Sequence, residues 1–291
     1  MAISISRRRF FNAAFAAGAV SAAAGSLAQG FGNAAAAQGL DFPLVDYHVH
    51  LDDVVTLEKA LQLSKERGVK LGIVEHAGTK ANRYPGLLST DEDLKRYIAK
   101  LEGKPVYKGI QAEGLDWPTC FSKEEVAQLD YVLSDALTFP DKGGKRIELW
   151  RPGVKFDDKQ DFMDRYTDFN VQVMAQEPID IIANPTFLPD AMMSEFDALW
   201  TVPRMEKVVK AAVKYKVAIE INSRYSQPRM SFLKMAKEAG AKFSTGSNIH
   251  GLDVGKLDYC VEVIKKLGLT KKDIFTPAPR GKKPIEIRRL S

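Results

Sequence analysis

From residue 44 onward, short β-branched runs alternate with amphipathic helical stretches, and this alternation limits the fold more than any other feature. The runs at 44–48, 70–74, 106–112, 131–134, 179–183, 217–221 and 242–245 read as strands. Apolar spacing predicts helices over 56–67, 122–128, 160–176, 203–215, 228–239 and 253–267, and another that begins at Ser89-Thr90-Asp91-Glu92. Thr56 suits an N-cap and Gly68 a helix end, and the acids after Thr90 suit a first turn. Strands joined through helices pair in parallel, because the connection must cross over. Seven such units predict one α/β domain over residues 38–291, folded as a distorted (β/α)7 TIM-like barrel.

The composition agrees with this and removes several classes of function. Apolar residues are 45% and charged residues 27% of the 291, so a core can form without a disulfide framework. Cys120 and Cys260 stand far apart and in no metal-binding spacing. The formal charge is +5, but Arg7, Arg8 and Arg9 supply three of those charges and no acid precedes Asp41, leaving +2 for the rest. No basic run with interleaved aromatics occurs, so nucleic acid is not an expected partner. The tail Thr276-Pro277-Ala278-Pro279-Arg280-Gly281-Lys282-Lys283 reads as a loose or draped end.

Residues 1–37 read as an export signal. Ser6-Arg7-Arg8-Arg9-Phe10-Phe11 leads into an alanine-rich apolar run over 13–28, and four alanines at 34–37 offer a cleavage site. The apolar run is broken by glycine and serine, which makes it a poor membrane span. The arginines before Phe10 resemble a twin-arginine signal, which hands already folded proteins to the export machinery. The expected product is a periplasmic protein that leaves the membrane once the signal is cleaved.

The chain has four histidines: His48, His50, His76 and His250. All lie at or after the end of a predicted strand, which in a parallel barrel places them on the C-terminal face where sites are built. Residues i and i+2 of an extended segment point the same way, so His48 and His50 suit one shared ion. Imidazole with carboxylate suits zinc, manganese or iron. Acids also end strands, at Glu75, Glu113 and Asp135, and Asn248 stands two before His250.

In their order these residues resemble the polymerase and histidinol phosphatase, or PHP, family. The opening H-x-H is His48-Val49-His50. The second-strand acid and histidine are Glu75-His76, and the glutamate after the third strand is matched by Glu113. The later segments are Glu220-Ile221-Asn222 and Gly246-Ser247-Asn248-Ile249-His250. The likeness runs over residues 43–251 and implies a distorted seven-stranded barrel holding divalent metal. The ligands it implies here are His48, His50, His76, Glu113, Asn248 and His250, enough for one or two ions. The family usually has aspartate at Asn248, often histidine at Asn184, and histidine near Asp135-Ala136. The H-x-H also resembles the amidohydrolase superfamily, although Glu113 and the 247–250 segment fit the PHP pattern better.

The chemistry this implies is hydrolysis of a phosphate ester by metal-activated water. Glu75 or Asp135 would accept the proton, and Arg224 would receive an anionic group of a small substrate. Amide or lactone chemistry, a sugar-directed lyase or isomerase, and a non-catalytic ligand-binding barrel remain as alternatives. Trp117, Trp150 and Tyr225 stand as pocket walls or core residues.

Overall fold

The computed structural model describes residues 39–279 except Glu177 and Ile249, so the expected signal lies outside the described residues. The first half runs β1 (Val45–Val49), α1 (Leu57–Arg67), β2 (Lys70–Ile73), β3 (His76–Gly78), α2 (Asp91–Leu101), β4 (Val106–Glu113), α3 (Lys123–Val126), β5 (Tyr131–Asp135), β6 (Thr138–Pro140) and β7 (Arg146–Glu148). The second runs α4 (Lys159–Gln176), β8 (Ile181–Ala183), α5 (Phe196–Leu199), α6 (Val202–Tyr215), β9 (Ala218–Asn222), α7 (Met230–Glu238), β10 (Phe243–Gly246) and α8 (Asp258–Leu267). Thr56 caps α1 through the Lys59 amide and Gly68 ends it in the left-handed region, as its sequence predicts.

The seven expected strands form one parallel sheet in the order β1-β2-β4-β5-β8-β9-β10, with β3 beside β4. This is the distorted, nearly closed TIM-like barrel. The hydrogen-bonded path ends at β1 and β10, and side chains join its two ends. Thr245 Oγ1 donates to the Val45 carbonyl at 2.5 Å. Buried Asp46 accepts the amides of Ser247 and Gly255, each at 2.8 Å. Among the described residues, no helix is long and apolar enough to cross a membrane.

Two cores hold the barrel. The outer one packs strand residues such as Val49, Ile73, Ile110 and Ile221 against the helices. The inner one fills the lower barrel with Val45, Tyr47, Val74, Tyr131, Leu133 and Ile181. Tyr131 crosses the interior and donates to the Tyr47 carbonyl at 2.7 Å. Gly72 and Gly109 make room for it, since a Cβ at either would run into the ring. Phe275, at the start of the tail, plugs the bottom against Tyr47, so the tail is anchored before its prolines.

β1 carries one extra residue: Asp46 pairs with Leu71, but Val49 pairs with Ile73. Such a bulge re-aims side chains. Tyr47 joins the inner core while His48, the next residue, reaches partners across the barrel mouth. Several short elements go beyond the expected alternation: β3, the antiparallel β6–β7 hairpin, and the short helical turns around 117–120 and 190–199. They are too short for periodicity to mark. The last helix begins at Asp258 rather than 253.

Candidate functional site

The strand ends open into a cavity of about 440 Å³, walled by His50, His76, Gln111, Asp135, Asn184 and His250. A wider hollow of about 770 Å³ lies beside it, but it is an open groove lined by exposed side chains such as Lys80, Arg96 and Lys100 and holds no histidine. The chemistry therefore sits in the smaller space.

The four histidine rings, about 200 residues apart at the extremes, come together. His50 stacks between His76 and His250, at centroid distances of 4.7 and 4.6 Å, and His48 lies 5.3 Å from it. Tyr84 covers the far face of His76 at 3.8 Å. The Nε2 atoms of His48 and His50 both reach Gln111 Oε1, each at 3.0 Å. Gln111 is held in turn by Asp135, which accepts from its Nε2 at 3.3 Å. The other nitrogen of His48, Nδ1, meets Glu220 Oε1 at 2.6 Å. Gly246 lies against this pair, and a Cβ there would strike both the Glu220 carboxylate and His48.

Glu113, expected with the shared ligands, is placed differently. It pairs with His76 Nδ1 at 2.7 Å and approaches Thr138. The residue at the His48–His50 crossing is Gln111, two positions back on the same strand face. The expected set thus divides. His48, His50 and Asp135 gather around Gln111, His76 and Glu113 form their own pair, and His250 closes the stack. Glu75 accepts the His76 amide at 3.1 Å at the cavity wall. Arg224 is exposed at the rim, where its Nη1 donates to the Asn248 carbonyl at 3.0 Å. Trp150 and Tyr225 line the cavity, whereas Trp117 belongs to the outer core.

An amide network completes the wall. The Tyr225 amide donates to Asn222 Oδ1 at 3.1 Å, which fixes that side chain's orientation. Asn222 Nδ2 then donates to Glu220 Oε2 at 3.0 Å and to Asn184 Oδ1 at 2.9 Å. Asn248 Nδ2 approaches the same Asn184 oxygen at 3.4 Å, and the Asn184 amide donates to Glu220 Oε2 at 3.2 Å. Asn184 and Asn248 both adopt left-handed backbone, at φ 49° and 47°, a conformation that asparagine tolerates better than most residues.

Burial sets the ionisation of the site. It drives His50 well below the ordinary imidazole range, helped by the three neighbouring histidines. It also takes His76 and His250 down to about 4. These rings are neutral at neutral pH, the form that ligates metal. For His48 burial acts in the same direction, but the charge and hydrogen bond of Glu220 outweigh it and the pKa rises. Burial lifts Glu113 to about 8. It lifts Asp135 to about 7, with Glu113 adding to the effect, and it raises Glu75.

Among the described residues, no three His, Cys, Asp or Glu side chains are arranged to hold a metal ion. The third donor at the crossing is the Gln111 amide oxygen, which lies outside that set of residue types. Two imidazole nitrogens and an oxygen, backed by the Glu220 carboxylate on His48, suit one divalent ion. Sequence reasoning missed Gln111, Glu220 as the support of His48, and Tyr84. The period-two alternation of β4 carried a signal for the first. The other two depend on contacts between distant segments.

No family model matches the chain. It is 35% identical over 86 residues to a probable phosphatase of Vibrio parahaemolyticus, a stretch covering 26% of this chain and 35% of that protein. It is 24% identical over 256 residues to a probable phosphatase of Shewanella piezotolerans, covering 82% of this chain and 91% of the relative. The fold is similar to that of histidinol phosphate phosphatase from Lactococcus lactis, a crystal structure complexed with zinc, L-histidinol and phosphate. The TM-score is 0.55 at 18% identity, over 84% of this chain and 98% of the other.

Proposed function

We propose that this chain is a metal-dependent phosphoesterase acting on small anionic phosphate esters. The reading is carried by the meeting of the His48 and His50 Nε2 atoms at Gln111 Oε1. His48, His50 and the Gln111 oxygen would hold one zinc, manganese or iron ion, with Asp135 hydrogen-bonded to the same glutamine. A bound divalent ion supplies Lewis acidity and a water of lowered pKa. Glu220 fixes the tautomer and tilt of the His48 ring through Nδ1. Asp135, titrating near neutrality, accepts a proton at its carboxylate and passes it on. Glu75, beside His76 at the cavity wall, is the second candidate for that role. Arg224 at the rim orients the anionic end of the substrate. Two relatives named as phosphatases and the shared barrel support the same reading.

Elemental analysis of the purified protein beside His50→Ala, followed by a panel of phosphate esters, tests it. About one ion per chain in the wild type, its loss in the variant and ester turnover are expected. Equal metal content in the two proteins, or a metal-loaded protein that cleaves no ester, overturns it. The second outcome would move the reading to a barrel that binds a small ligand without catalysis, which the neutral amides Gln111, Asn184 and Asn248 around the histidines favour.

The export reading belongs to the same proposal: the protein works in the periplasm after twin-arginine transport. Replacing Arg7, Arg8 and Arg9 by lysine keeps the charge and should leave the protein in the cytoplasmic fraction. Unchanged periplasmic recovery would refute this.

A further inference from the structure

Asn184 stands where an oxygen ligand would be looked for, but its oxygen is already engaged. Oδ1 accepts from Asn222 Nδ2 and Asn248 Nδ2. The orientation follows from the network, because the Tyr225 backbone amide can only donate and so fixes Asn222, which in turn fixes Asn184. The Asn184 amide nitrogen, Nδ2, is left over. It is buried, Asn184 is 1% exposed, and among the described residues Nδ2 has no hydrogen-bond acceptor. A buried donor without a partner is costly, and this one belongs to a residue lining the cavity. The residue is also held in left-handed backbone, pinned by its own amide on Glu220. What Asn184 offers beside the cavity is therefore an unsatisfied N–H donor on a fixed backbone.

We propose that Asn184 Nδ2 binds an oxyanion of the substrate, and that with Arg224 it forms the anion-holding part of the cavity wall. Asn184 is then a substrate-binding residue rather than a metal ligand. The assignment rests on the phosphoesterase reading for the identity of the oxyanion, a phosphoryl oxygen. The fit is chemical: a neutral amide donor satisfies an anion without neutralising it, leaving the charge for Arg224 and the metal side to share.

Inorganic phosphate is the probe, titrated by calorimetry into the purified full chain, with metal content measured on the same samples. Asn184→Gly removes the donor and relieves the left-handed backbone. Asn184→Asp keeps the shape but exchanges the donor for an acceptor. Both variants should keep the wild-type metal content. Phosphate affinity should fall about 10- to 100-fold in Asn184→Gly, the weight of a hydrogen bond to a charged group, and further in Asn184→Asp. Wild-type phosphate affinity in both variants overturns the assignment. So does a loss of phosphate binding that tracks a loss of metal, or a wild-type protein that does not bind phosphate. The two proposals fail separately: selective loss of phosphate binding in the variants sustains this one even if no phosphate ester is turned over.

Discussion

Two histidine–carboxylate pairs of nearly equal length flank the cavity and ionise in opposite ways. His48 meets Glu220 at 2.6 Å, and His76 meets Glu113 at 2.7 Å. The pKa of His48 is raised, whereas that of His76 falls to about 4 while Glu113 climbs to about 8. Distance does not account for this. Glu220, which also receives donors from Asn222 and the Asn184 backbone, holds a proton on His48 through its charge and hydrogen bond. Glu113 also receives donors, from Tyr84 and Thr138, but burial outweighs them, so it keeps its own proton and leaves His76 neutral. Without metal the His48 side is thus an ion pair built by the fold, whose Nε2 proton a bound cation would displace, and the His76 side is a neutral pair.

The largest test of this difference is removal of charge on each side. Glu220→Gln confronts three donors with an amide and should cost about 3–5 kcal/mol, as breaking a buried pair does. Glu113→Gln replaces a group already neutral and should cost less than about 1 kcal/mol. Denaturant unfolding of the two variants decides, and equal losses would erase the distinction. Next in size is Gly246→Ala, whose methyl intrudes on Glu220 and His48. It should destabilise by about 1–3 kcal/mol and lower metal content, and full retention of both would show that the pair has slack.

The smallest expected effect is in pH. Glu113 and Asp135 have folded pKa values of about 8 and about 7, above their ordinary values of 4.5 and 3.8. The folded state then holds protons that the unfolded chain releases, so stability present at lower pH is lost as pH rises through these values. The raised His48 acts in the same direction. His76 and His250, lowered from 6.5 to about 4, have the opposite effect below pH 6.5. The clean window is therefore pH 6.5 to 8. There the chelated protein should lose up to about 1.4 kcal/mol per pH unit for each proton released. Thermal unfolding should show the slope, and Glu113→Gln should flatten it. A flat wild-type curve would mean that Glu113 is already ionised.

Much of the architecture was legible without coordinates. The seven strands lie within a few residues of where β-branched runs placed them, and Thr56 and Gly68 bound α1 as their chemistry predicts. The gathering of four histidines at strand ends was legible for the same reason: strand direction fixes which end of a parallel barrel each residue reaches. Less legible was the inside of the site. Glu113 and Gln111 share a strand face, and only the assembled barrel decides which of them meets His48 and His50.

The sequence by itself determined the barrel and its ring of histidines, because strand and helix periodicity and parallel connection are local properties. Tertiary structure alone decided which carboxylate each histidine takes, which oxygen sits between His48 and His50, and which amide is left free at Asn184. Those outcomes depend on contacts between residues as distant in the chain as His48 and Glu220, 172 positions apart. In a buried site the balance between desolvation and the charges and donors reaching a group sets its ionisation, and no local pattern encodes that balance.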